Sequence, residues 1–256
     1  MPSVQHGHKE VFLKIVYYGP GLGGKTSNLQ YLHSKARPNN RGKLLSLETG
    51  AERTLFFDLM PVELGTFKDY KIRLHLCTVP GQIAHDETRR RILRHVDGVV
   101  FVVDSQTAAT SANIESSKEL KANLALVGED ATRMPTVVQF NKRDLPGVLS
   151  VEQLREALDI NPRVPQFEAS TVDGYGISAT LKAIVRTALE VVGDPAKLPE
   201  GRTHSILPGK RASMFPDSIP QAAVVAPRQS EIRAADSDDL ANPSFPKPGR
   251  VPTMNS

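Results

Sequence analysis

Cysteine is almost missing from these 256 residues. Cys77 stands alone and can form no internal disulfide, which points to a reducing, cytoplasmic setting. No apolar run approaches the ~20 residues that a membrane-spanning helix needs. The opening stretch MPSVQHGHKEVF is polar and unlike a secretory leader, and Pro2 stands where myristoylation requires glycine. VPTMNS, at the other end, offers no cysteine to a prenyl group. The expectation is a chain with neither a transmembrane segment nor a lipid anchor. Strong charge of one sign is lacking too. The net charge is +4 with both signs interspersed, and no basic stripe is interleaved with aromatics, so nucleic acid is not an expected partner. No internal repeat is visible.

What is present divides near Val192. Ten of the nineteen prolines lie between Asp194 and Ser256, among Ser, Ala and mixed charge. Such a segment cannot bury enough apolar surface to offset the entropy of ordering, so 194–256 is expected to be a disordered tail. Residues 1–193 are expected to form one domain, a length that holds a single core.

Within that domain strands alternate with helices. VFLKIVYY (11–18) reads as a buried strand, followed by a helix from Lys25. TLFFDLMPVEL (54–64) and KIRLHLC (71–77) read as a hairpin. DGVVFVVDS (97–105) is a near-continuous apolar run, as in a central parallel strand covered on both faces. A helix follows over 111–127, a strand at PTVVQFN (135–141), and a helix at 151–158 that SVEQ opens as a capping box. VPQFEAS (164–170) is a last short strand, and apolar residues at helical spacing mark a final helix over 177–192. The alternation predicts an α/β layered fold with a mostly parallel sheet.

GPGLGGKT (19–26) joins the first strand to the first helix and fits the pattern G-x-x-x-x-G-K-[ST]. Gly19, Gly21, Gly23 and Gly24 let the backbone curl and aim successive N–H groups at phosphate oxygens. The helix behind the loop adds the positive end of its dipole. Lys25 can reach the β- and γ-phosphates, and the Thr26 hydroxyl can bind Mg²⁺. A flexible turn with a surface lysine is the plainer alternative, but the strand before and the helix after supply the context that phosphate binding requires.

NKRD (141–144) follows an apolar strand and speaks to the choice of base. The Asn141 amide can bond guanine N7 and O6. The Asp144 carboxylate can accept from the N1 and N2 amines, a pattern that adenine does not offer. A site built for such donors rejects a ligand lacking them, because its polar groups are then left unpaired. Lys142 lies within the motif, and EAS (168–170) brings Ala169 and Ser170 to a short loop that can lie against the base.

Taken together, KIVYYGPGLGGKTSNLQY, GKLLSLET, RTLFFDL, TVPGQ, DGVVFVVDSQ and NKRDLP resemble small Ras-like GTPases, and within them the MglA-type branch of bacterial gliding motility and cell polarity. The likeness extends in order over about residues 12–190 and leaves out the tail. It implies a P-loop NTPase fold with a mixed, mostly parallel six-stranded sheet and helices on both faces. It also implies GTP or GDP with Mg²⁺, and a first switch region at ETGAERTLFF (48–57) in which Thr54 closes over the γ-phosphate and binds the metal. Arg53 reads equally as a solvated side chain before a strand or as a charge for the transition state; the resemblance, in which the matching arginine is an intrinsic finger, selects the second. TVPGQ (78–82) would be the second switch, with the Gly81 amide on the γ-phosphate and Gln82 orienting the attacking water.

Many Ras-like proteins carry aspartate where this chain has Thr78, a trait that MglA-type sequences share. Asp58 either supplies the missing negative charge or is an exposed strand residue. RRRILRH (89–95) reads as a solvated basic helix face or as a contact for a partner or acidic lipid, and His6 and His8 as incidental residues of a polar terminus. Cys77 is expected in the core.

Two functions compete. One is a switch that hydrolyses GTP, slowly without an activating partner, and changes effectors between its GTP and GDP states. For it the resemblance implies a roadblock-type, MglB-like activating protein and a cytoplasmic protein recruited to a cell pole or membrane surface through partners. The other is a nucleotide-bound scaffold with negligible hydrolysis that works through its tail. An ATP-dependent kinase is disfavoured by NKRD.

Overall fold

The computed structural model describes residues 3–47, 57–80 and 86–198. In chain order it contains β1 (Ser3–Gln5), β2 (Glu10–Tyr18), α1 (Lys25–Lys35), β3 (Leu45–Leu47), β4 (Phe57–Phe67) and β5 (Tyr70–Thr78). Then come α2 (Asp86–Leu93), β6 (Gly98–Asp104), α3 (Thr110–Leu126), β7 (Thr136–Asn141), α4 (Val151–Leu158), β8 (Gln166–Glu168) and α5 (Ile177–Val192). The strands form one sheet in the order β3-β4-β5-β2-β6-β7-β8. β2, β5, β6, β7 and β8 run parallel where they pair, and β3, β4 and β5 form an antiparallel flank.

All six expected strands are present, and two three-residue strands join them. β1 pairs antiparallel with β2 at residues 10–12, below Ile15, where β6 begins its own pairing with β2. It therefore closes a stretch of edge that would otherwise be left unpaired. β3 extends the antiparallel flank. Neither has the length for a period to show in sequence.

The sheet separates two apolar layers. Val11, Leu13, Ile15 and Tyr17 of β2 face one side with Ile72, Leu74 and Leu76 of β5, packed with Leu29 of α1 and Ile184 of α5. Val16 and Tyr18 face the other side, with Ile92 and Leu93 of α2, Leu120 of α3 and Leu154 of α4. α5 buries Ile177, Leu181, Ile184, Val185, Ala188, Leu189 and Val192 along one stripe. Each large apolar side chain among them contributes about 1.5–3 kcal/mol on burial. β6 is buried at every position, as its unbroken apolar run requires. α4 begins with the expected reciprocal cap between Ser150 and Gln153.

Beyond α5 the chain makes a 3₁₀ turn at Pro195–Lys197 and returns to the domain. Pro195 is buried and Leu198 packs against the first apolar layer. Lys68 Nζ donates to Gly193 O at 3.1 Å. His6 bridges the Tyr70 hydroxyl at 2.9 Å and the Leu198 carbonyl at 2.8 Å. The carbonyl can only accept, so the His6 Nε2 carries the donated proton. His6 is thus a joint between β1, the hairpin and the end of the domain, not an incidental residue. The expected tail beyond 198 lies outside the described residues.

At the foot of the sheet sits a polar cluster. The Lys14 backbone N–H donates to Asp97 Oδ2 at 2.8 Å, and Lys14 Nζ donates to Arg94 O at 3.0 Å. His75 is Lys14's register partner on β5. Burial pushes the Asp97 carboxyl up to about 6. Burial, aided by the Lys14 charge, pushes His75 down to about 4. Cys77 is in the core as expected, its thiol pushed up to about 11 by burial, which makes it a poor nucleophile.

Candidate functional site

The loop at 19–24 leaves the end of β2 and opens α1. A Cβ on Gly19 would lie 2.2 Å from Val102 O, so the loop starts pressed against β6. Gly24 has φ +93°, and a Cβ there would lie 2.2 Å from Asn141 Nδ2. Only glycine meets both demands. Gly23 closes a turn on Pro20, its N–H donating at 3.3 Å. Leu22 also takes a left-handed backbone, φ +59°, and is 93% exposed at the apex beside exposed Gly21. Such a conformation in a branched residue is a local strain of the kind that gathers at functional loops.

No side chain caps the start of α1. Its first-turn amides and helix dipole therefore face the loop, the arrangement that suits an anion. Lys25 is buried, and its Nζ donates to Gly19 O at 2.9 Å and Pro20 O at 2.5 Å. The cation is thereby held within the loop by the loop's own carbonyls. Thr26 is exposed on the first turn.

The base motif ends β7. Asn141 is fully buried, and its Nδ2 donates to Gly23 O at 2.9 Å, which ties the motif to the phosphate loop. Asn141 Oδ1 has no hydrogen-bond partner among the described residues. A buried amide oxygen left this way carries unused capacity for a ligand. Lys142 adopts φ +65°, and Asp144 is exposed. Ala169 and Ser170 are buried beside them. The Ala169 N–H donates to Phe140 O at 2.7 Å, and Ala169 O accepts from the Arg143 N–H at 3.1 Å, so their loop is stitched to the motif. Gly176 makes the tight return, since a Cβ there would meet Glu168 O at 1.9 Å.

The structure thus brings together Gly19, Gly21, Gly23, Gly24, Lys25, Thr26, Asn141, Lys142, Asp144, Ala169 and Ser170 at the carboxyl ends of β2, β6, β7 and β8, where open α/β sheets place ligands. Arg53, Thr54, Gly81 and Gln82 lie outside the described residues. So does the side chain of Asp58, whose backbone pairs with Ser46. Thr78 ends β5 and is 2% exposed. Among the described residues no group of three or more His, Cys, Asp or Glu could hold a metal. The donor set near the loop still fits Mg²⁺, a hard cation that takes few protein oxygens and completes its shell with phosphates and water; Thr26 is the protein oxygen at hand.

Sequence reasoning passed over three contacts. Lys142 Nζ donates to Asp104 Oδ2 at 2.7 Å and to Gln106 Oε1 at 2.9 Å. A polar residue closing the apolar run VVFVVDS was the available signal. Tyr31 of α1 packs where a Cβ on Gly174 would fall, joining α1 to the loop after β8. Arg89 is buried and pairs with Glu119 of α3, whereas Arg91 pairs in solvent with Glu87. The basic stretch is therefore only in part a solvated face.

A glycine loop at a strand–helix junction, bonded to a polar motif at the end of a neighbouring parallel strand, defines a P-loop nucleotide-binding protein. Comparison with known proteins narrows the class. The profile of the ADP-ribosylation factor family matches residues 44–188. The mutual gliding-motility protein MglA of Myxococcus xanthus (strain DK1622) is 48% identical over 189 residues, 74% of this chain and 96% of that one. ADP-ribosylation factor-like protein 4D of Bos taurus is 28% identical over 185 residues, 70% and 84% of the two chains. Ras-related protein Rab7 of Gossypium hirsutum is 25% identical over 187 residues, 71% and 84%. The chain belongs to the Arf/Ras-like family of small GTPases and is MglA-like. Small GTPases bind GTP and GDP and use Mg²⁺. No helix among the described residues is long and apolar enough to cross a membrane.

Proposed function

We propose that this protein is a GTP-hydrolysing molecular switch of bacterial motility or cell polarity that exchanges effectors between its GTP and GDP states. The observation that carries the reading is the bond from Asn141 to Gly23, which makes phosphate loop and base motif one unit. The likeness to a gliding-motility protein supports the cellular role. In this reading Lys25 and the loop amides neutralise the β- and γ-phosphates. Asn141 and Asp144 select guanine, Lys142 flanks it, and Ala169 and Ser170 close the pocket. Thr26 and Thr54 would hold Mg²⁺, which would supply positive charge to offset that of the phosphates. The Gly81 amide senses the γ-phosphate, Gln82 orients water, and Arg53 meets the charge that builds on the transferred group.

Loss of the γ-phosphate would release the contacts of Thr54 and Gly81 and change the surface offered to partners. A roadblock-type activating protein would brace both loops without lending an arginine. The domain works in the cytoplasm and is recruited to a pole or membrane surface through partners, with the chain beyond Leu198 as a separate attachment segment. Single-turnover GTP hydrolysis, with and without a roadblock-type partner, tests the reading. Stimulation by the partner is expected. Negligible hydrolysis in both conditions would sink it and leave the nucleotide-bound scaffold.

A further inference from the structure

We infer that Asp104, assisted by Gln106, is a positioning residue of the base site: it anchors the Lys142 ammonium so that the lysine's methylenes form a fixed apolar wall for a purine ring. The inference rests on the guanine-site reading above and adds the residues that hold its wall in place.

Asp104 closes β6 and is the register partner of Asn141, which closes β7; Lys142 follows directly on Asn141. The Lys142 side chain therefore runs from the end of one strand to the end of the next, along the edge that carries the phosphate loop. Its tip donates to Asp104 Oδ2 at 2.7 Å and to Gln106 Oε1 at 2.9 Å. A long aliphatic stem tied at its charged end loses its rotamer freedom before a ligand arrives and presents its methylenes as a surface.

An exposed ion pair of this kind would contribute little and fix little. This one differs on the acid side. The Asp104 side chain is 5% exposed, against 23% for Lys142. Its other oxygen, Oδ1, accepts from the Gln106 N–H at 3.1 Å. Its backbone is gripped on both sides by the buried amide of Asn113 on α3, which accepts from the Asp104 N–H at 3.0 Å and donates to its carbonyl at 2.8 Å. Both carboxylate oxygens and both backbone groups are thus engaged, so the anchor is rigid. The left-handed backbone of Lys142, φ +65°, is the complement. A non-glycine residue holds that conformation only where its surroundings favour it; here the Lys142 carbonyl accepts from the Leu145 N–H at 3.2 Å and its side chain meets the two-acceptor anchor.

The test uses release of a fluorescent GDP analogue, with GDP, IDP and ADP as competitors of the full-length protein. Asp104→Asn keeps the Oδ1 acceptor for Gln106 but turns an amide toward the Lys142 ammonium. It is expected to speed GDP release by about ten- to a hundredfold, the scale for losing a charge-assisted hydrogen bond, with association unchanged. IDP lacks the 2-amino group that Asp144 would bond, so the GDP-to-IDP affinity ratio reports on Asp144 alone and is expected to stay as in the parent. Gln106→Ala, an exposed change that spares the fold, is expected to act in the same direction and less. In a Lys142→Met background Asp104→Asn is expected to add nothing, because the two groups act as a pair. An unchanged release rate in both Asp104→Asn and Gln106→Ala overturns the inference. So does an altered GDP-to-IDP ratio, or a full effect in the Lys142→Met background. A parent protein that does not prefer GDP to ADP sinks the base-site reading instead.

Discussion

Asn141 donates from Nδ2 to the carbonyl of Gly23 at 2.9 Å, across 118 residues of chain. The next glycine protects that bond. A methyl group on Gly24 would lie 2.2 Å from the same nitrogen, on a backbone at φ +93°. Gly24→Ala should therefore push Asn141 off Gly23 and strain the start of α1, at roughly 1–3 kcal/mol for the backbone alone. Calorimetry is expected to show GDP affinity reduced by about five- to a hundredfold on that scale. Parental affinity would show that the loop and the base motif are not coupled.

Asp144 is exposed, so its carboxylate is available to a ligand at little cost to the fold. Asp144→Asn should reduce GTP affinity by roughly 2–5 kcal/mol, the scale for unpairing a charged hydrogen bond in a complex. Xanthosine nucleotides, which carry a carbonyl in place of the 2-amino group, should bind the variant better than GTP does. If the variant binds GTP like the parent, guanine selection lies elsewhere.

The buried cluster around Lys14 predicts two opposing pH dependences. Asp97 moves from an ordinary 3.8 to about 6 in the folded protein, so the native state holds the extra proton between those values. Its contribution to stability then falls as pH rises from about 4 to 6. His75 moves from 6.5 to about 4, so the unfolded chain holds the extra proton, and its contribution rises over nearly the same range. The two offset each other in the parent. His75→Gln should become less stable from pH 4 to 6, and Asp97→Asn more stable. Urea denaturation at stepped pH measures both, and equal slopes in the two variants would contradict the assignment.

The order of strands and helices was legible because their periods are long and their punctuation clear. β6 reads as buried from its unbroken apolar run, and α4 from Ser150 and Gln153. The glycines and Lys25 were legible because their spacing carries the chemistry. Asp104 was legible only as a polar residue closing an apolar run; its partner, 38 residues on, was not. Arg89 was hidden among similar arginines, and only the packing of α2 on α3 sets it apart. His6 gave no signal because both of its partners are distant in the chain, at 70 and 198.

The turn at 195–197 makes the choice of truncation point consequential. A chain ending at Leu198 keeps buried Pro195, the packing of Leu198 and the bond to His6. It should melt within a degree or two of the full chain, on the expectation that the remainder offers no packed face. A chain ending at Gly193 loses all three and should be less stable by about 1.5–3 kcal/mol on the scale of one buried apolar side chain. Thermal melts of the two truncations decide this; identical melting temperatures would show that the turn adds nothing.

The proposed chemistry predicts that Gln82→Leu and Arg53→Ala each remove most partner-stimulated hydrolysis and leave GTP binding within a few-fold of the parent. An oriented water and a neutralising charge serve one transition state, so the double variant should lose little more than either single one. Single-turnover rates at saturating partner provide the comparison. Full stimulated activity in Arg53→Ala would mean that the positive charge comes from the partner.

β2 starts at Glu10, beside the joint that His6 makes with Tyr70 and Leu198, and ends at Tyr18, where the phosphate loop begins. Nine residues of strand measure about 30 Å. Leu198, held by His6, therefore lies at the opposite end of β2 from the glycine loop, so a change of the chain at its carbonyl is separated from that loop by the full length of a central strand.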